Sequence, residues 1–167
     1  MIEIYCDGSS RGNPGDGGFG VAVIKNNQLL EAYGKQYENI TNNQGELMGL
    51  IWALYLATND YKNEKVVIYS DSRYCVSTFN EWIRGWARNN WINSKKEQVK
   101  NIDLMKIIYN YAIIEFPNFT VERVPGHAGV LGNEIADALA SKNQAKLAKI
   151  FDEHKDLCVF GKIFDFS

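Results

Sequence analysis

Ile2, Ile4 and Cys6 alternate with Glu3, Tyr5 and Asp7, the period-two pattern of a strand whose two faces differ. The spacing predicts a strand over residues 1–7 that ends on a carboxylate, followed by a Gly-rich turn. Further strands are predicted over residues 18–24 and 29–37, joined by the polar turn Lys25-Asn26-Asn27-Gln28, so the chain opens as an antiparallel meander. Thr41-Asn42-Asn43 offers helix-capping chemistry ahead of Leu47, Leu50, Ile51 and Leu54, whose spacing predicts a helix to about Thr58. Glu46 stands beside that seam, with Gly49 and Ala53 on its face to allow close approach. The continuous apolar run over 65–69 suits a strand covered on both faces, and it ends in Ser70-Asp71-Ser72. Two short helical segments over 73–89, a polar stretch over 90–97, a helix over 101–115 and a strand over 119–124 follow. A Gly-rich loop carrying His127 then leads to a helix from Asn133 to about Ala148, with Asp137 on its flank. Residues 151–167 are mixed, with enough apolar side chains to argue against a purely disordered tail.

That order predicts one α/β domain with a mixed sheet. Ligands gather outside the carboxyl ends of parallel strands. If strands 1–7 and 65–69 are parallel neighbours, Asp7 and Asp71 come side by side at one edge. Gly15, Gly17 and Gly20 also spell G-x-G-x-x-G, but a β-branched strand follows where a dinucleotide site needs a helix N-terminus. The dinucleotide reading is rejected.

Composition narrows the class. The 167 residues are enough for one domain with a real core. No apolar run is long enough to span a bilayer, and the start lacks a signal-peptide layout. Three widely spaced cysteines without C-x-x-C spacing suit a reducing, cytoplasmic setting. The formal net charge of −2 does not advertise a nucleic-acid binder, yet Arg84, Arg88, Lys95, Lys96 and Lys100 face Glu97 alone between Trp82 and Lys100. The average hides a basic patch.

Clustered carboxylates on a rigid scaffold call for a hard divalent cation, and Mg²⁺ or Mn²⁺ takes oxygen ligands. A pair of such ions about 3.5–4 Å apart can activate water and stabilise the leaving oxygen of an in-line phosphoryl displacement. A histidine on a nearby loop can move a proton at neutral pH.

With Tyr5-Cys-Asp-Gly-Ser and Gly12-Asn-Pro-Gly, Thr41-Asn-Asn-Gln-Gly-Glu-Leu, Tyr69-Ser-Asp-Ser, and Val124-Pro-Gly-His-Ala-Gly leading to Gly132-Asn-Glu-Ile-Ala-Asp, the chain resembles the type 1 ribonuclease H family, of the retroviral-integrase-like superfamily. The motifs are ordered and span residues 1–149, which the resemblance makes the catalytic domain, with 150–167 an extension of unknown role. It implies an α/β ribonuclease H-like fold: a mixed five-stranded sheet, antiparallel meander plus parallel strands, flanked by helices. It implies that Asp7, Glu46, Asp71 and Asp137 hold two Mg²⁺ ions, Mn²⁺ substituting, that His127 assists proton transfer or product release, and that Glu134 is an acid near the leaving end. Asn13, Asn42 and Asn43 match positions that read the hybrid's minor groove, where 2′-hydroxyls mark RNA. Thr41 and Asn89 resemble parts of a phosphate pocket for the DNA strand, and Trp82, Trp86 and Trp91 with Arg84, Arg88, Lys95 and Lys96 a basic protrusion. Arg73 stands where the family often has an amide and Asn39 where some members have a cation, so these contacts depart from the pattern.

The implied activity is endonucleolytic hydrolysis of the RNA strand of RNA–DNA hybrids, by a monomer without an obligatory protein partner. Two other classes stay open at this stage: a catalytically weak hybrid-binding module of the same fold, and a proofreading-type exonuclease. The four acids argue against the first. Gly8-Ser9 after Asp7, where that exonuclease class has Asp-x-Glu, argues against the second.

Overall fold

The computed structural model describes residues 1–124, 130–157 and 162–163, with Leu157, Lys162 and Ile163 described by their backbone only. The meander is longer than its apolar pattern suggests: β1 (Ile2–Gly12), β2 (Gly15–Lys25) and β3 (Gln28–Ile40) pair antiparallel. Helix α1 (Asn42–Thr58) leads to β4 (Val66–Ser70), which runs parallel to β1. Next come α2 (Arg73–Ser77), a π-helical turn (Thr78–Trp82), α3 (Ile83–Arg88) and α4 (Ile102–Ala112). Strand β5 (Phe119–Arg123) is parallel to β4, and α5 (Leu131–Ala140) and α6 (Gln144–Glu153) follow. A 3₁₀ turn (Lys155–Leu157) and β6 (Lys162–Ile163) close the described chain.

The sheet order is β5-β4-β1-β2-β3-β6. Five strands form the expected mixed sheet, and a two-residue sixth is added at its edge. Two residues of the C-terminal segment pair parallel with β3, Glu31 with Lys162 and Ala32 with Ile163, partly covering what would otherwise be an open edge. A two-residue strand has no readable period. The helix expected over residues 133–148 is corrected, because it is two helices. Lys142 takes φ of 54°, and the Asn143 side chain accepts the Lys146 amide at 3.0 Å, which starts α6 afresh.

The alternation in β1 sorts the core. Ile2, Ile4 and Cys6 join Leu47, Leu50 and Leu54 of α1 on one face, while Tyr5 joins Ala22, Ile135, Ala136 and Leu139 on the other. Two glycines let helices touch strands. A Cβ at Gly8 would collide with the Glu46 amide, and one at Gly20 with the Ala136 carbonyl of α5. Of the glycines that mimicked a nucleotide fingerprint, Gly20 thus seats α5 on the sheet, while Gly15 and Gly17 lie against the backbone of β1. Among the described residues, no helix is long and apolar enough to cross a membrane.

Candidate active site

Strand β1 does not end at Asp7, as its pattern suggested. Its pairing with β2 continues to Gly12 and Gly15, but its parallel pairing with β4 stops at Cys6 and Ser70. Asp7 and Asp71 are thus the first residues past the parallel ladder, where the strands' carboxyl ends open. Ser72 caps α2 by accepting the Cys75 amide at 3.2 Å, which turns the chain away just after Asp71. Glu46 arrives from α1, whose start is fixed by a capping box: the Thr41 hydroxyl accepts the Gln44 amide at 3.1 Å, and Gln44 Oε1 accepts the Thr41 amide at 2.9 Å.

Asp7, Glu46 and Asp71 each offer an oxygen within 4.8 Å of the other two. Asp7 is buried, Glu46 half-buried and Asp71 exposed, so the cluster opens toward solvent through Asp71. Asp7 Oδ1 accepts the Gly8 amide at 2.9 Å. Burial first, then the charges of Glu46 and Asp71, pushes the Asp7 carboxyl up to about 10. Burial likewise raises Glu46, to about 7, opposed in part by the hydrogen bond it accepts from Asp7. Glu46 Oε2 is buried and lacks a hydrogen-bond partner among the described residues. An all-oxygen donor set, electrostatically frustrated and with one orphaned buried oxygen, fits a hard divalent cation.

Asp137 borders this group without joining the compact triad. It sits on α5 near enough to raise Asp7, but its Oδ2 lies 2.6 Å from the Lys146 ammonium, which is also 2.7 Å from Glu134 Oε2. Lys146 was missed in the sequence because no motif contains it. His127 lies outside the described residues.

Toward the sheet's turn end, Asn13 and Asn42 form one network. Asn13 Oδ1 accepts the Asn42 amide at 3.1 Å, and Asn42 Oδ1 accepts the Ser10 amide at 2.8 Å. Ser10 also went unread; its only signal was the Gly-rich turn. Asn43, Trp82, Trp86, Asn89 and Lys95 line a single open groove of about 940 Å³, together with Tyr74, Lys100 and Asn101. Gln44 Nε2 donates to Asn101 Oδ1 at 3.3 Å, joining the α1 cap to the groove. The Trp82 and Trp86 rings lie 5.8 Å apart, and Trp82 is 42% exposed, so it is not core. Trp91 instead packs edge-on against Tyr109. Arg84 donates to the Phe79 and Ala112 carbonyls and so anchors the fold. Arg73 and Lys96 are exposed and do not line the groove.

A mixed sheet presenting acids at the ends of its parallel strands, beside an aromatic groove that carries Lys95 and Lys100 as well as Glu81 and Glu97, defines a nuclease-type α/β enzyme. The RNase H family profile matches residues 1–145. The chain is 40% identical over 149 residues to a Ribonuclease H of Orientia tsutsugamushi (strain Boryong), covering 89% of this chain and 85% of that one. Two solved structures share the fold. One is a foamy viral protease-reverse transcriptase in complex with RNA/DNA hybrid, with TM-score 0.70 and 21% identity, covering 88% of this chain and 20% of that one. The other is LC11-RNase H1 in complex with RNA/DNA hybrid, with TM-score 0.60 and 22% identity, covering 85% of this chain and 98% of that one. The chain belongs to the RNase H family.

Proposed function

We propose that this chain hydrolyses the RNA strand of RNA–DNA hybrids endonucleolytically, giving 5′-phosphate and 3′-hydroxyl ends. The observation that carries the reading is the Asp7–Glu46–Asp71 triad just past the β1–β4 parallel ladder, in a chain of the RNase H family. Fold neighbours solved with RNA/DNA hybrid support the substrate class.

Asp7, Glu46, Asp71 and Asp137 would hold two divalent ions, Mg²⁺ with Mn²⁺ substituting. When bound, such ions supply water activation and charge stabilisation at the leaving oxygen. The rest falls to this chain's own side chains. Asp7, locked by the Gly8 amide, and Glu46, pressed against β1 where Gly8 leaves room, would form a rigid floor of oxygen donors that fixes where such ions sit relative to the strand ends. His127 would move a proton or assist product release, and Glu134 would stand near the leaving end. The linked Asn13 and Asn42, with Asn43, would read 2′-hydroxyls, which distinguish RNA from DNA. Thr41, Asn89, Trp82 and Trp86 would favour a deoxy strand in the groove, and Lys95 and Lys96 would meet phosphates. Arg73, exposed just past Asp71, would meet the RNA strand. The catalytic unit would span residues 1–149 and act as a monomer in the cytoplasm, with 150–167 an extension.

End-labelled hybrid, duplex RNA and duplex DNA, each incubated with Mg²⁺ or EDTA, test this directly. Internal cuts in the RNA of the hybrid alone, abolished by EDTA, are expected. Comparable cutting of duplex RNA, or EDTA-resistant cutting, overturns the proposal.

A further inference from the structure

Among the described residues, Lys146 is the cation that forms ion pairs with the acids of α5. It lies on the first turn of α6, one residue past the segment that the family profile matches and outside every motif quoted above. A tight turn fixes its position: the Asn143 amide donates to the Ala138 carbonyl at 2.8 Å, and the Asn143 side chain accepts the Lys146 amide at 3.0 Å. The ammonium then bridges Asp137 at 2.6 Å and Glu134 at 2.7 Å. Those acids are three apart on α5 and so share one helix face. Among the described residues the inner triad has no such partner, and its Glu46 keeps a buried oxygen without a hydrogen bond.

We propose that Lys146 is a resident counter-cation for the outer half of the carboxylate site. It holds Asp137 and Glu134 together in the metal-free chain and must yield Asp137 before that carboxylate can serve a divalent ion. The proposal rests on the metal-binding reading above and adds a determinant of metal affinity to it. An ion held by Asp7, Glu46 and Asp71 alone meets no competing ammonium among the described residues. An ion that needs Asp137 displaces an ammonium at hydrogen-bond distance, and a site that is competent only part of the time shows a proportionately weaker apparent affinity. Lys146 thereby makes occupancy of the site unequal, with tight inner binding and weaker outer binding.

Titration calorimetry of the EDTA-stripped full chain with MnCl₂ tests this without any turnover readout. Lys146→Met should tighten the weakest Mn²⁺ step about three- to tenfold, the range expected when a part-exposed ion pair must open. It should also enlarge the Mn²⁺-induced rise in Tm. Lys146→Arg keeps the charge and should bind Mn²⁺ as the wild type does. Lys149→Met removes an equal charge from the same helix, from a lysine 4.0 Å from Glu153, and sets the scale of any general charge effect. If Lys146→Met shifts the affinity no more than Lys149→Met does, the counter-cation role is overturned. If the wild type binds no Mn²⁺ at all, the metal reading falls first.

Discussion

Glu46 and Asp137 are helix carboxylates brought to one strand edge from opposite faces of the sheet, yet they meet opposite conditions. Glu46 is pressed onto β1 at Gly8, half-buried, with one oxygen lacking a hydrogen bond and two like charges beside it. Asp137 is more open and already neutralised by Lys146. Among the described residues the inner acids have no cationic partner, while the two outer acids share one ammonium and are partly compensated. The acids proposed to bind metal therefore lie where electrostatic frustration is greatest, a common arrangement at functional sites.

Removing charge from each side should separate the two most sharply. Asp7→Asn keeps shape but deletes a carboxylate from the site proposed to hold divalent ions. Turnover should fall on the order of 10³-fold or more, since metal stabilisation of the transition state is worth several kcal/mol. The same change relieves repulsion, so the metal-free Tm should rise by about 2–8 °C. Asp137→Asn should also cut turnover but lower or leave unchanged the metal-free Tm, because it breaks an ion pair worth at most about 1 kcal/mol. Scanning calorimetry in EDTA reads both. Equal signs of the Tm change would erase the contrast.

His127→Ala should cost less than loss of a ligand, about 10²-fold in turnover, at the lower end of what general acid–base assistance supplies. Single-turnover cleavage of labelled hybrid measures it. Loss as complete as in Asp7→Asn, or none, would exclude the shuttle role.

The basic protrusion supplies a third contrast, binding against chemistry. Replacing Lys95 and Lys96 with Ala should flatten the slope of log K against log salt by roughly one to two units, with most turnover recovered at saturating hybrid. Fluorescence-anisotropy titrations across salt concentrations measure this. An unchanged slope would move the binding surface elsewhere.

The smallest effect is in pH. Asp7 and Glu46 titrate above their unfolded values of 3.8 and 4.5, so the native state holds protons that the unfolded chain releases. Their contribution to stability is complete at low pH and is lost as pH rises through about 7 for Glu46 and about 10 for Asp7. Metal-free Tm should therefore decline from pH 6 to 9, Mg²⁺ should restore it, and Asp7→Asn should flatten the decline. A flat wild-type curve would show that the inner acids are not frustrated.

Much of this was legible in the chain. Periodicity placed the first five strands and α1, because side-chain alternation and helical spacing are local consequences of backbone geometry. Ordered motifs singled out Asp7, Glu46, Asp71 and Asp137, since turns and caps are written in short polar signatures. The rest depended on packing. Whether Trp82 or Trp91 faces the groove could not be read from spacing, because both sit in the same aromatic, basic stretch; only the seat of Trp91 against Tyr109 turns it inward. Arg84 read as part of the basic protrusion, but its guanidinium lies on two main-chain carbonyls. The short strand β6 has too few residues to carry a pattern. Lys146 reaches Asp137 only because a left-handed turn folds α6 back beside α5. Sequence determined which groups exist and the local structure that carries each; only the tertiary fold decided which charges meet, because their meeting depends on contacts far apart along the chain.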